Sequence, residues 1–305
     1  MTKILITGGA GFIGSHIADK YLQQKHEVII LDDLSSGIKK NIPQQARFYQ
    51  ESILSPNACK IIETEKPDVI NHHAAQIDVR KSVSDPVGDA TINIQGGLNI
   101  FEAGRKSGVK KFIFASSGGA IYGDPKCIPT DENHRTDPLS PYGIAKLTIE
   151  KYLQFYSTTY KIPFVALRYG NVYGPRQNGL GEAGVVAIFI ERIRKHQPLW
   201  IYGDGKQTRD YIYVEDIAQY NLAALSPETS GIFNIGTGIE TDVLEIAKFL
   251  TKLSGHPIEI IHKEAKIGEQ QRCCLKSSSI QKSAPVMFPD GLKKTFDWFQ
   301  EQHRD

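Results

Sequence analysis

Lys3-Ile4-Leu5-Ile6-Thr7-Gly8-Gly9-Ala10-Gly11-Phe12-Ile13-Gly14 is the stretch that decides the fold. A strand-like run enters a glycine turn, and an amphipathic run follows over 12–24. Gly8, Gly11 and Gly14 spell G-x-x-G-x-x-G at that junction. Such a turn lets backbone approach a pyrophosphate, and the helix N-terminus behind it offers free N–H groups and partial positive charge. Alone, the pattern equally fits any tight βα turn. Asp32 strengthens it, closing a second strand-like run 18 residues after Gly14. An acid there meets the adenosine ribose hydroxyls and repels a 2′-phosphate, so NAD is the expected cofactor. Asp33 is a second acid at that strand end, and Lys39 and Lys40 lie too far into the following loop to favour NADP.

Outward from this turn, apolar runs at 3–7, 27–31, 47–50, 68–72, 111–116 and 163–168 alternate with helix-like stretches at 12–24, 56–64, 86–107 and 141–160. Strands alternating with helices predict an α/β fold, a Rossmann-type doubly wound parallel sheet, over residues 1–173. After Gly174 the rhythm loosens. Gly179, Gly181 and Gly184 lead into an apolar helix over 185–196, then a loop at Gly203-Asp204-Gly205. A Tyr-rich strand over 210–214 and helices near 215–225, 243–254 and 292–302 complete the chain. Residues 174–305 are expected to form a smaller α/β substrate lobe, interwoven with the first domain.

The 305 residues carry a formal net charge of +2, with 40% hydrophobic and 23% charged side chains. That balance leaves no electrostatic footprint for nucleic acid or an acidic membrane surface. No apolar run reaches the roughly 18 residues needed to span a bilayer. The cysteines, Cys59, Cys127, Cys273 and Cys274, match no zinc spacing and fit a reducing compartment, so a cytoplasmic protein without a metal is expected. His72 and His73 sit side by side on a strand, which points them to opposite faces and argues against a shared metal.

Tyr142 and Lys146 stand four apart at the start of a predicted helix, after the turn signal Ser140-Pro141. The spacing puts both on one helical face. A free phenol, with a pKa of about 10, is too weak a base at neutral pH. An ammonium about 4 Å away would favour the phenolate by about 4 kcal/mol at an effective dielectric of about 20. A cationic oxidised nicotinamide would push the same way, so the pair makes chemical sense beside a cofactor.

The glycine turn, Asp32, Asn93, Ser116-Ser117 and Tyr142-Gly143-Ile144-Ala145-Lys146 resemble an extended short-chain dehydrogenase/reductase. His73-Ala74-Ala75-Gln76, Leu167-Arg168-Tyr169-Gly170-Asn171-Val172-Tyr173-Gly174-Pro175-Arg176-Gln177 and Gln207-Thr208-Arg209-Asp210-Tyr211 narrow the likeness to NAD-dependent nucleotide-sugar epimerases and dehydratases. The resemblance implies that Phe12 and Ile13 line the pyrophosphate turn, while Asp32, Asp33, Leu34, Ser35, Ser36 and Gly37 surround the adenosine ribose. Ile53, Ala74, Ala75, Gln76, Asn93, Ser116, Lys146 and Tyr169 would complete the cofactor site. On the sugar-nucleotide side it implies Ser117, Gly118, Tyr142, Asn171, Val185, Tyr202, Arg209, Lys266, Glu269 and Cys273. A homodimer through 86–107 and 141–160 is implied too.

Departures from the family pattern select the chemistry. Sugar-nucleotide dehydratases carry an Asp-Glu pair where this chain has Gly119 and Ala120, and neither of those can move a proton. Reversible oxidation at C4, a 4-epimerisation of UDP-glucose and UDP-galactose, is therefore expected. Epimerases place Ser or Thr where Gly118 stands, so either Ser117 or a water must serve the reacting oxygen. Lys266-Ile267-Gly268-Glu269 resembles an Arg-x-Gly-Glu/Asp segment in which Arg clamps phosphate; Lys lacks the bidentate fork. Lys276 replaces a usual Asp, and a customary Leu-Gly-Trp stretch is absent near 283–288. Cys273 is small where a bulky residue restricts the sugar's C2 substituent, which predicts tolerance of N-acetylated hexoses. A UDP-glucuronate epimerase or decarboxylase, with Arg80 as the extra cation, or a reductase releasing NADH are the rival enzymes. An idle NAD-binding sensor is the rival outside catalysis.

Overall fold

A computed structural model describes residues 1–179, 184–265, 270–278, 280 and 284–302. The first six runs form β1 (Lys3–Thr7), β2 (Glu27–Asp32), β3 (Arg47–Gln50), β4 (Val69–His72), β5 (Lys111–Ser117) and β6 (Phe164–Tyr169). Further on come β7 (Asn171–Tyr173), β8 (Leu199–Tyr202), β9 (Thr208–Tyr213), β10 (Gly231–Ile235), β11 (Glu240–Asp242) and β12 (Ile260–Lys263). Seven strands pair in parallel in the order β10-β6-β5-β4-β1-β2-β3. The order reverses direction between β1 and β4. In a doubly wound sheet that gap is where a crevice opens beyond the carboxyl ends of the strands.

Continuous apolar strands are those covered on both faces, and the helices do the covering. On one face Ile4, Ile6, Val28 and Ile30 pack with Ile17 and Tyr21 of α1 (Phe12–Gln23). On the other, Leu5, Ile29 and Ile70 pack with Ile62 of α2 (Pro56–Glu65). Beyond the short α3 (Val79–Ser84) and α4 (Pro86–Ala90), α5 (Gly97–Lys106) adds Ile100 and Phe101 to that layer. After α6 (Gly118–Ile121), α7 (Pro141–Tyr160) adds Ile149, Leu153 and Tyr156. The Ser140 hydroxyl caps α7 by accepting from Gly143 N, and Pro141 opens the helix where its missing N–H costs nothing.

The later chain holds α8 (Val185–Arg194), α9 (Val214–Ala223), α10 (Val243–Ser254) and α11 (Phe288–Glu301). Of these, α8, α10 and α11, with the small β11-β9-β7 and β12-β8 sheets, bury a third cluster around Tyr173, Ile190, Leu250 and Phe296. Two late elements return to the first body: β10 adds an edge strand beside β6, and α9 packs on α1. Apart from the Tyr-rich strand, the strands after Gly170 go unread by alternation, because each has only three to five residues. The Tyr-rich strand starts at Thr208 rather than 210, and α11 starts at Phe288, where Pro289 suits the first turn. The run over 86–107 is not one uniform helix. Thr91–Gly96 winds as a π-helix between α4 and α5. Tight packing accompanies this change: a Cβ on Gly96 would meet Ile53 Cδ1 at 2.6 Å, and one on Gly97 would meet Ile149 Cδ1 at 3.0 Å.

Candidate active site

At the β1–β4 gap, backbone shape dominates. Gly8 has φ +70°, and a Cβ on it would lie 2.6 Å from Ala74 N; one on Gly14 would lie 2.3 Å from Gly8 O. Only glycine permits this crossing of the two strand ends. Gly11 caps α1 without a side chain, and no acidic residue stands in the first turn. The amides of Phe12 and Ile13 thus head a helix suited to an anion. Asp32 is buried, accepting from Ala10 N at 2.9 Å and Leu34 N at 2.8 Å. Burial raises its carboxyl, and those two amides pull it back. Its neighbour Asp33 is exposed and spends Oδ1 on Ser35 N. The loop returns through Ser36 and Gly37, Ile38 N donating to Ala10 O. A glycine-only turn, a bare helix start and one acid with spare lone pairs fit a dinucleotide with a free ribose diol.

Several side chains assigned to the cofactor by resemblance are committed to holding this cradle. Asn93 donates to Gln76 O and Asp89 Oδ1 at 2.9 Å each and accepts from Gln76 N at 2.9 Å. Gln76 also bonds Asp78 and Asp89. The Ser116 hydroxyl donates to Glu150 Oε1 at 2.6 Å, and the Tyr169 hydroxyl accepts from Asn221 Nδ2 at 2.8 Å. Ile53 is core, while Ala74 and Ala75 are partly exposed where β4 ends. His72 bonds Thr7 and packs on Phe101 and Phe114, whereas His73 stacks on Tyr169 across the sheet. Burial, with Lys146 next, holds both imidazoles down to about 3.

Gly143 brings α7 close to α6, since a Cβ there would meet Ala120 O at 2.5 Å. This approach sets Tyr142 beside Ser117. Burial pushes the phenol up to about 12, and the Ser117 hydroxyl pulls the other way. The expected lowering by Lys146 is therefore corrected. Lys146 Nζ, on a 5% exposed side chain, donates to Ala115 O at 2.8 Å and lies 5.6 Å from the Tyr142 ring centre. Its ammonium is anchored on a strand-end carbonyl and the Phe114 face, and burial lowers its own pKa to about 8.

On the sugar side, Gly118 is explained by volume. A Cβ there would lie 2.4 Å from Leu275 Cδ1, so a side chain at this position would require Leu275 to shift. Gly119 faces open space, its Cβ direction ending 4.0 Å from Asn171 Oδ1. Leu275 belongs to a strap, residues 272–275, bridged to Thr208 and Thr130. Cys273 N donates to Thr208 O at 3.2 Å; its thiol is 2% exposed, raised to about 11 by burial and eased by Arg209. Arg209 Nη1 also donates to Thr208 O at 2.8 Å. Val185 opens α8 and Tyr202 closes β8, both partly exposed. Lys266 and Glu269 lie outside the described residues.

Sequence reasoning missed a buried polar network behind the pair. Glu150 pairs bidentately with Arg168, at 2.9 and 2.6 Å. Arg168 Nη1 donates to Tyr122 OH at 2.7 Å, and that hydroxyl donates to Asn234 Oδ1 at 2.7 Å. Asn234 N donates to Glu132 Oε1, which Ser278 Oγ also reaches. Glu150 was visible as the next helical repeat in Tyr142-x3-Lys146-x3-Glu150. Its pairing with Arg168 on β6, and the onward link through Tyr122 to Asn234 on β10, carried no local signal. Asp210 was also underread: its carboxylate accepts from Thr237 N and Oγ1, Gly238 N and Leu275 N, fastening the strap to β9.

Residues 4–236 match the family model described as the NAD dependent epimerase/dehydratase family. A putative UDP-glucose 4-epimerase of Methanocaldococcus jannaschii is 45% identical over 304 residues, 99% of each chain. A crystal structure of UDP-glucose 4-epimerase with UDP-glucose from Thermotoga maritima superposes with a TM-score of 0.95 at 43% identity, covering 98% of this chain and 99% of that one. The Thermus thermophilus UDP-glucose 4-epimerase in complex with NAD gives a TM-score of 0.92 at 40% identity, with 97% and 98% covered.

Proposed function

The chain belongs to the NAD dependent epimerase/dehydratase family, and from that premise we propose that it interconverts UDP-glucose and UDP-galactose at C4. One observation carries the reading: the Ser117 hydroxyl at the end of β5 acts on the buried Tyr142 phenol, while the positions where dehydration would need carboxylates are Gly119 and Ala120. Bound NAD supplies the hydride acceptor and donor at C4, together with a positive ring charge. Tyr142 takes the proton from the C4 hydroxyl and returns it. Ser117 stands in for the hydroxyl that Gly118 lacks. Lys146, anchored on Ala115 O, holds a positive charge behind the phenol. The 4-keto sugar turns over on its diphosphate tether, with Asn171 and Arg209 on the sugar-nucleotide side.

Cys273 supports a broader sugar range, since no bulky group projects from that point of the strap. We expect Cys273→Tyr to remove turnover of UDP-N-acetylhexosamines and spare UDP-galactose; equal loss on both would contradict this. The glucuronate alternative draws no support from Arg80, which is exposed on α3. Exposed Val83, Val87, Ile144, Tyr152 and Phe155 on α3, α4 and α7 support a homodimer, to be read by sedimentation. Four unpaired thiols support a cytoplasmic setting, and among the described residues no helix is long and apolar enough to cross a membrane.

The test is a panel of UDP-, dTDP- and GDP-sugars incubated with purified protein without added NAD. Interconversion of a UDP-hexose 4-epimer pair with no net NADH is the expected result. Water loss, CO2 release or stoichiometric NADH would reject the reading.

A further inference from the structure

Asp89 is a buried carboxylate, 2% exposed, that the reaction as written does not use. Its Oδ1 accepts from Gln76 Nε2 at 3.0 Å and from Asn93 Nδ2 at 2.9 Å. Its Oδ2 is buried with no hydrogen-bond partner among the described residues. A carboxylate oxygen left bare in the interior is costly unless positive charge lies nearby. Its helix, α4, packs directly on α7, the helix that carries the buried Lys146. The adjoining π-helix is where Asn93 reaches both Asp89 and the turn after β4.

We propose that Asp89 is a positioning residue: its carboxylate is the internal counter-charge that keeps Lys146 an ammonium, while its Oδ1 clamps Gln76 and Asn93 against the catalytic helix. The proposal rests on the reading of Tyr142 and Lys146 as the reacting pair. Burial lowers Lys146, and Asp89 first and then Glu150 work against that; the Asp89 charge also disfavours the Tyr142 phenolate. Removing the charge therefore moves both groups toward lower pH.

The other charges around Asp89 are few. On α7, Glu150 is paired with Arg168. On β4 and just after it, His72 and His73 are held neutral. Asp85 caps α4; on α3 and at its cap, Asp78 accepts from Lys81 N, and Arg80 and Lys81 are exposed. The π segment Thr91–Gly96 carries no charge.

Asp89→Asn keeps the Oδ1 acceptor and removes the charge, so it separates the two roles. Wild type and Asp89→Asn, labelled with [ε-13C]lysine, are titrated by NMR, the Lys146 signal being identified by its loss in Lys146→Met. The Lys146 midpoint is expected to fall by about one pH unit. An unmoved midpoint in a folded variant overturns the proposal whatever the enzyme's substrate proves to be. On UDP-galactose, both limbs of the Asp89→Asn pH–rate profile should shift acidward together; an unshifted profile with a lower plateau would mark a merely structural residue. Asp89→Ala, which also loses the clamp, should in addition lower the thermal midpoint and weaken NAD retention, and retention equal to that of Asp89→Asn would remove the clamp from the account.

Discussion

The glycine turn after β1 and the strap over 272–275 both belong to the candidate site, and they are built by opposite means. The turn works through backbone: Gly8 and Gly14 are there because any Cβ would strike Ala74 or Gly8, and its one decisive side chain, Asp32, is locked by two amides. The strap works through side chains delivered from distant elements: Leu275 fills the space over Gly118, and Asp210 on β9 ties Leu275 to Thr237 and Gly238. A backbone device tolerates only glycine. A side-chain device can be exchanged, provided its partner changes too. The absent hydroxyl at Gly118 is such an exchange: Leu275 takes its space, and in the proposed mechanism Ser117 serves Tyr142 in its stead.

Four substitutions break or sharpen this contrast. Tyr142→Phe removes the group both regions serve, and kcat should fall by about 10²–10⁴-fold with the circular dichroism unchanged. Near wild-type turnover would sink the assignment. Arg168→Met severs the network that runs from Ser116 at the cradle to Ser278 beside the strap. It leaves Glu150 charged and unpaired, so urea unfolding should show a loss of about 3–5 kcal/mol, largely recovered in Glu150→Leu/Arg168→Met. Gly118→Ser should cost about 1–3 kcal/mol through overpacking on Leu275. Adding Leu275→Ala should return part of that, giving a coupling that two independent sites would lack.

The smallest effect concerns pH. The Ser117 hydroxyl lowers the phenol, so its removal in Ser117→Ala raises it. Turnover that needs the phenolate rises with pH through that value, and the acidic limb should therefore move up by about half a unit. A limb that stays put would give the assistance to water instead.

The same contrast explains what was legible in the chain. The cradle is local in sequence, so Gly8, Gly11, Gly14 and Asp32 announced a dinucleotide from the sequence alone, as the strand–helix alternation announced a parallel sheet. Tyr142 and Lys146 were legible because one helical turn joins them. Their electrostatics were not, because Ala115 O and the depth of burial come from packing between β5 and α7. The π-helix at Asn93 was hidden as well: its residues read as ordinary helix, and its contacts are with Gln76 and Ile53. Arg168, Tyr122 and Asn234 meet only once β10 returns to the edge of the first sheet, 112 residues after Tyr122.

The central claim is reversible oxidation at C4 without elimination, and UDP-galactose deuterated at C4 tests it most directly. Turned over by the purified protein in ordinary water, it should yield UDP-glucose with the deuterium retained at C4. Deuterium transferred to C6 with loss of water, or lost from C4 as free NAD(H) exchanges, would contradict the account.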